Sequence, residues 1–308
     1  MCQLVPVSRR SFYRSLKVQR PAEEETEVRS LIQQIALEHR RRYGYRRITA
    51  ELRRRGMQVN HKRVVRIMRE DNLLALQPKC FRVTTNSNHK LEIYLNLAAR
   101  IKLTGINQLW VADITYIRLK AEFVYLAVVL DGFSRKVVGW ALDRTLAVWL
   151  TIGALQQAIE RRQPQPGLVH HSDRGFQYAH AEYIAMIENH RMIPSMSRPA
   201  NPFDNASCES FIKTLKREEI YANKYDDLDQ LRANIEEFID EYYNRQRLHS
   251  ALGYRSPEEF ERMVECQAES RSATIEAFVN KENDGKISKG LLGTGTQMPS
   301  PSPDPFSC

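Results

Sequence analysis

The stretch HHSDRG (residues 170–175), together with SRPANPFDNASCESFIKTLK (residues 197–216), decides how this chain is read. Ahead of Asp173, the apolar run Gly167-Leu168-Val169 predicts a short buried strand that delivers the carboxylate at its end. From about Asn205 an amphipathic pattern predicts a helix. At roughly 100° per residue, Cys208, Phe211, Ile212 and Leu215 form one apolar stripe, while Glu209, Lys213 and Lys216 fall on a neighbouring face. A third acid lies upstream in LWVADITYIRL (residues 109–119), a strand pattern in which Val111, Asp113, Thr115 and Ile117 share one face. An isolated Asp or Glu is usually a solvated polar position. Asp113 departs from that rule because apolar residues flank it on both sides, where an unpaired charge is costly.

Asp113 and Asp173 are 60 positions apart, and 35 residues separate Asp173 from Glu209. Three carboxylates can hold two divalent cations about 3.5–4 Å apart, a pair that clamps the attacking and leaving oxygens of a phosphoryl transfer. Mg²⁺ suits such a set because it takes oxygen ligands, keeps several waters and binds through few carboxylates; Mn²⁺ is the expected substitute. The strand-borne His170 and His171 carry little weight as metal ligands, since Mg²⁺ sites favour oxygen over imidazole.

Five phrases, WVADITYI, YLAVVLDGFSRKVVGWAL, HHSDRGFQY, SMSRPANPFDNASCESFIKTLKRE and YNRQRLHSALGYRSPEEF, resemble the DDE transposases and retroviral-type integrases. They resemble more closely the bacterial transposases of the insertion-sequence 3 family, in the protein encoded by the second reading frame. The resemblance runs from about residue 8 to 262. It implies an α/β fold, a ribonuclease H-like core with a mixed five-stranded sheet, preceded by an all-α helix-turn-helix domain. It implies Asp113, Asp173 and Glu209 as the catalytic, metal-holding triad with two Mg²⁺ per site, and a DNA-end contact for Lys216. The partners it implies are DNA, further copies of the chain on that DNA, and an upstream-frame helix-turn-helix protein that in this family is commonly fused by frameshifting. A copied circular intermediate belongs to the same implication.

Charge points the same way. Between Arg40 and Arg69 twelve Lys/Arg stand against Glu51 alone, a local net of +11 in a chain of +9, so the remainder is about −2. Such a window is the footprint of a phosphate-binding surface. The five cysteines, at 2, 80, 208, 266 and 308, show neither zinc nor disulfide spacing. No stretch has the apolar core of a signal peptide or the ~20 apolar residues of a membrane span. The expected location is the bacterial cytoplasm, in association with the nucleoid.

In order, residues 1–20 resemble the family's lead-in segment, and 21–76 read as the helix-turn-helix domain. There, helices are expected over Ala22–Arg42, Arg46–Arg55 and Asn60–Asn72; in the last, Val64, Val65 and Met68 pack inward while Lys62, Arg63 and Arg66 face DNA. Arg46 and Arg47 join these as expected DNA contacts, with Arg174 and Lys213 in the core. Residues 77–104 have no sustained period and read as linker. The core, 105–221, opens with strands over about 108–118, 122–131 and 136–143, with a hairpin turn signal at Asp131-Gly132-Phe133-Ser134. A helix over Ala147–Gln163 follows, expected to bury Trp149, Ile152, Leu155 and Ile159; Trp110 and Trp140 are also expected in the core. A helical extension covers 222–263, and the Pro/Ser-rich tail, 264–308, reads as disordered.

These readings converge on DNA cleavage and strand transfer by two-metal phosphoryl transfer. The alternatives are a ribonuclease H-like hydrolytic nuclease, and a catalytically silent DNA-binding regulator, against which the intact triad argues.

Overall fold

The computed structural model describes residues 23–73, 92–120, 122–198 and 205–270. Three helices open it: α1 (Glu23–Glu38), α2 (Tyr45–Arg54) and α3 (His61–Glu70). Val28, Ile32, Ile35 and Ala36 of α1 pack with Ile48 and Leu52 of α2 and with Val64, Ile67 and Met68 of α3. Helix α1 stops short of Arg42 because Arg40 and Arg41 turn left-handed, at φ 48° and 58°. The Arg41 N–H then reaches back to the Ala36 carbonyl at 2.6 Å, closing the helix end. Asn60 starts α3 by accepting from the Lys62 N–H at 2.9 Å. On α3 the buried stripe is Val64, Ile67 and Met68, spaced at i, i+3, i+4, so Ile67 takes the place expected for the half-buried Val65.

The core is built on β1 (Leu109–Arg118), β2 (Phe123–Asp131), β3 (Val137–Asp143), α4 (Val148–Arg162), β4 (Val169–Ser172), α5 (Phe176–Ala179), α6 (Ala181–Asn189), β5 (Ile193–Met196) and α7 (Ala206–Leu215). The five strands form one mixed sheet in the order β3-β2-β1-β4-β5. Strands β1, β2 and β3 pair antiparallel, and β4 runs parallel to both β1 and β5. This is the ribonuclease H-like arrangement expected from the sequence.

Both faces of the sheet are covered, which is why β1 and β2 are almost continuously apolar. On one face Val111, Ile117, Val128 and Leu130 belong to the same cluster as Cys208, Phe211 and Leu215 of α7. On the other, Trp110, Ala112, Ala127 and Val129 pack with Leu150, Ala154, Leu155 and Ala158 of α4. At Gly139 a Cβ would stand 2.2 Å from the Ala154 carbonyl oxygen, so β3 and α4 meet at a separation that only glycine allows.

Trp110 and Trp140 are buried as expected, but Trp149 is 67% exposed. It sits in the first turn of α4, off the stripe formed by Leu150, Ala154, Leu155 and Ala158. The buried stripe begins one residue later, at Leu150, which leaves the indole on the solvent side.

After α7 the chain makes a π-helical stretch (Lys216–Ile220), then α8 (Leu228–Glu236), which continues into a second π-helical stretch (Glu237–Gln246). Leu228, Leu231, Ile235, Phe238, Ile239 and Tyr242 are its buried side, spaced as one helical stripe. Residues 264–270, expected in the disordered tail, are helical. The rest of that tail, the lead-in segment 1–20 and most of the linker before Glu92 lie outside the described residues.

Candidate active site

The pairing of β1 with β4 ends at Val111↔His171, whereas its pairing with β2 continues to Arg118↔Phe123. From Ala112 onward, then, one edge of β1 has no partner strand among the described residues. Asp113 lies on that free length, and Asp173 follows the last residue of β4. Helix α7 packs on the face of the sheet that carries Val111 and Ile117 and is fastened to the backbone of β1. Asn205 Nδ2 donates to the Ala112 carbonyl at 3.1 Å, and the Cys208 thiol donates to the Val111 carbonyl at 3.2 Å. Glu209, next to Cys208, is thereby brought to the end of the sheet that carries the two aspartates. Asn205 is buried, and its amide serves the backbone of β1.

The electrostatics show how near the three acids are. Burial pushes the Asp113 carboxyl up to about 8; the charge of Asp173 adds to that, the Ile114 N–H opposes it, and Glu209 adds again. Asp113 Oδ1 accepts from that N–H at 2.8 Å, and Asp173 Oδ1 accepts from the Gly175 N–H at 2.8 Å. Burial, followed by the charges of the same three acids, holds the Cys208 thiol protonated. Glu209 Oε2 is 3.3 Å from Lys213 Nζ. Among the described residues no group of three His, Cys, Asp or Glu side chains is gathered around a single point where it could hold an ion. The carboxylates are neighbours in charge and do not form a closed cage.

The histidines of the same segment serve packing. His170 Nε2 meets the Tyr183 hydroxyl at 3.0 Å, and His171 lies between the hydroxyls of Ser195 and Ser197, at 2.9 and 3.0 Å. Both are buried, and together they tie β4 to α6 and β5 beneath Asp173.

Comparison with known proteins puts this geometry in a family. Models of an integrase core domain match residues 104–202 and 190–257, and a model of an HTH-like domain matches 22–81. The transposase InsF for insertion sequence IS3A of Escherichia coli K12 is 35% identical over 266 residues, which are 85% of this chain and 92% of that protein. The transposase for insertion sequence element IS904 of Lactococcus lactis is 38% identical over 79% of this chain and 98% of that one. The chain belongs to the insertion-sequence 3 family of transposases. A 31 kDa protein of insertion element IS600 from Shigella sonnei is likewise 38% identical, over 84% of this transposase and 97% of its own length. Among solved structures, the simian T-cell lymphotropic virus intasome with a PP2A regulatory subunit matches at TM-score 0.43 and 17% identity, covering 75% of this chain and 74% of that one. The HTLV-2 integrase catalytic core in complex with magnesium matches at TM-score 0.40 and 18% identity, covering 52% and 99%. At those scores the likeness decides nothing about the site.

The basic residues of this transposase divide in two. Lys62 and Arg66 are exposed on α3 and Arg63 is half-exposed, with Arg66 paired to Glu25 at 2.8 Å and to Glu70 at 3.1 Å. Arg46 is exposed and donates to the Tyr45 hydroxyl at 3.1 Å. Arg47, expected to contact DNA, turns inward instead: its Nε donates to the Leu248 carbonyl at 2.8 Å and its Nη1 stands 3.6 Å from Glu218. Arg42 does likewise, pairing with the buried Glu219 and lying 4.4 Å from the Tyr242 ring centroid. The Tyr43 hydroxyl donates to the Gln246 carbonyl at 3.1 Å and accepts from the Leu248 N–H at 3.0 Å. Part of the +11 window therefore fastens the helix-turn-helix domain to the core. The partners lie more than 170 positions away, and no periodicity in the sequence could reveal them. In the core, Arg174 donates to the Ser197 carbonyl at 2.7 Å and Lys213 pairs with Glu209.

Proposed function

We propose that this chain carries out DNA transposition with Asp113, Asp173 and Glu209 as its catalytic carboxylates. In strand cleavage the oxygen of a water bonds to phosphorus at the element end, and the bond to the 3′ oxygen breaks, leaving a 3′-OH. In strand transfer that 3′ oxygen bonds to a target phosphorus, and the target's own 3′ oxygen leaves with a proton. The observation that carries this reading is the setting of Asp113, recessed on the free edge of β1 with the charges of Asp173 and Glu209 both raising its proton affinity. A site that concentrates negative charge in this way favours a cation.

The donor set is all oxygen, which fits Mg²⁺, and the spread of the acids fits an ion that takes few protein ligands and completes its shell with water and phosphate. When bound, a pair of such ions supplies positive charge at the attacking and leaving oxygens. The chain's own residues position the rest. The Ile114 and Gly175 amides fix one oxygen each of Asp113 and Asp173. Asn205 and Cys208 hold Glu209's helix against β1. Lys216 faces the DNA end, Lys213 and Arg174 border it, and Lys62, Arg63, Arg66 and Arg46 dock flanking duplex. Assembly of several copies on DNA, with or without an upstream-frame protein, completes the reading.

The test uses the full chain, a labelled 3′-OH duplex end and plasmid target with Mg²⁺. Asp113→Asn, Asp173→Asn and Glu209→Gln should each lose strand transfer to background while keeping duplex affinity and a cooperative unfolding transition no less stable than the parent's. A variant that transfers strands at the parental rate removes its residue from the site. Parental rates in EDTA remove the metal.

A further inference from the structure

Lys216 differs from the basic residues around it in what holds its head. Lys213, nearly one turn earlier, pairs with Glu209 at 3.3 Å, and Arg217, next in the chain, pairs with Glu218 at 2.8 Å. The Lys216 ammonium lies over the ring of Tyr116 instead, 4.6 Å from its centroid. Burial pulls that ammonium's pKa down, and the charge of Asp113 opposes the pull, so the half-buried lysine is near Asp113 as well.

Strand alternation sends positions 113 and 116 of β1 to opposite faces. One lysine can attend to both because β1 has no partner strand on that side beyond Val111 among the described residues, and Asn205, just before α7, donates to the Ala112 carbonyl there. Lys216 itself stands where α7 passes into the π-helical stretch. The ring it meets is also held. Tyr116 packs edge-on against Phe123 of β2, with ring centroids 5.8 Å apart and planes at 72°, and Arg118 covers Phe123 at 5.0 Å.

A carboxylate partner takes part of a lysine's charge and one or more of its three N–H donors, which weakens its attraction for phosphate. An aromatic face attracts the ammonium through its quadrupole and leaves both the charge and the donors available. It also restricts a four-carbon side chain that otherwise samples many rotamers.

We propose that Tyr116 is a positioning residue for Lys216, holding its ammonium at the free edge of β1 beside Asp113, where a phosphate of the DNA end is received. The proposal rests on the reading of Lys216 as a DNA-end contact. No bond is made or broken by Tyr116.

The experiment is a double-mutant cycle on the full chain, reading strand transfer as kcat/KM for the DNA end, together with duplex affinity and the unfolding midpoint. Tyr116→Phe keeps the ring face and should stay within about twofold of the parent. Tyr116→Leu should lower kcat/KM about three- to tenfold, the range of a partly exposed cation–π contact. Lys216→Ala should lower it further, and adding Tyr116→Leu to Lys216→Ala should change nothing more. Should Tyr116→Leu not fold, Tyr116→Met replaces it in the same cycle. If the loss from Tyr116→Leu persists undiminished beside Lys216→Ala, the ring acts through strand packing and the proposal is overturned. If Lys216→Ala loses activity while Tyr116→Leu matches the parent, the ring does not position the lysine. Parental activity in Lys216→Ala overturns the reading of Lys216 itself, and is distinguishable because that single variant shows it.

Discussion

Arg247 holds Glu218 with two hydrogen bonds of 2.9 Å each, Nε to Oε2 and Nη2 to Oε1, and both side chains are buried. Arg47 of the helix-turn-helix domain stands 3.6 Å from the same carboxylate. Beside it, Arg42 pairs with Glu219, whose Oε1 also accepts from the Tyr225 hydroxyl at 2.9 Å. Two adjacent glutamates, two and three positions after Lys216, thus join the helix-turn-helix domain, the helix of Glu209 and the C-terminal extension.

Breaking this junction should be expensive. Arg247→Leu leaves Glu218 charged and buried without its bidentate partner, and the loss should be about 3–5 kcal/mol, the usual size for removing one member of a buried pair. Urea unfolding at pH 7.5 measures it. A loss under about 1 kcal/mol would mean that Arg47 and water replace Arg247 fully.

Acid should destabilise the fold in two stages. Burial first, then the charges of Arg247 and Arg47, hold His249 to about 3; burial, then His171, hold His170 to about 3. In the unfolded chain both titrate near 6.5, so between about 6.5 and 3 the unfolded state binds more protons and stability falls as pH falls. The slope should approach about 1.4 kcal/mol per pH unit for each histidine, less an equal and opposite contribution from Asp113, whose folded carboxyl, held up to about 8, takes its proton before the unfolded one does. Glu218, raised by burial and then brought down to about 2 by Arg247, adds a further loss as pH drops below its unfolded value of about 4.5. Denaturant unfolding at intervals from pH 7.5 to 4.5 reads the first stage. His249→Gln should make that profile shallower, and an unchanged profile would assign the loss elsewhere.

Removing a carboxylate should stabilise the metal-free protein. Asp113→Asn deletes a recessed charge that faces Asp173 and Glu209, while its amide oxygen can still accept from the Ile114 N–H. At pH 8.5 in EDTA its unfolding midpoint should exceed the parent's. Added Mg²⁺ should raise the parent's midpoint more than the variant's, because a ligand of the native state stabilises only where it binds. An equal response of both proteins to Mg²⁺ would place the ion away from Asp113.

The two classes of arginine should separate in their salt dependence. Lys62→Ala on α3 should reduce the log–log slope of duplex affinity by about 0.9, the value for one phosphate contact. Arg66→Ala should reduce it less, since Glu25 and Glu70 already share its charge. Arg42→Met should leave the slope unchanged and lower the unfolding midpoint, because its guanidinium is buried against Glu219 and Tyr242. A slope that drops in Arg42→Met, with stability intact, would return that residue to the DNA surface.

The sequence by itself determined the elements. The two-residue alternation of LWVADITYIRL and the 3.6-residue stripe of Cys208, Phe211 and Leu215 are local signals, and the observed β1, β2 and β3 and the start of α7 agree with the expected bounds within a residue or so. The strand and helix settings of Asp113, Asp173 and Glu209, with the family resemblance, also mark those three acids in the sequence. Only the tertiary structure decided which way side chains turn. Trp149 reads as core yet faces solvent. Arg42 and Arg47 read as phosphate-binding yet hold Glu219 and Glu218. Tyr116 reads as one more strand aromatic until Lys216, 100 positions later, lies over its ring. Each of these depends on a partner supplied by another element. A periodic pattern says which face of a helix or strand is apolar, whereas the partner of a polar or amphipathic side chain is set by where the rest of the chain packs.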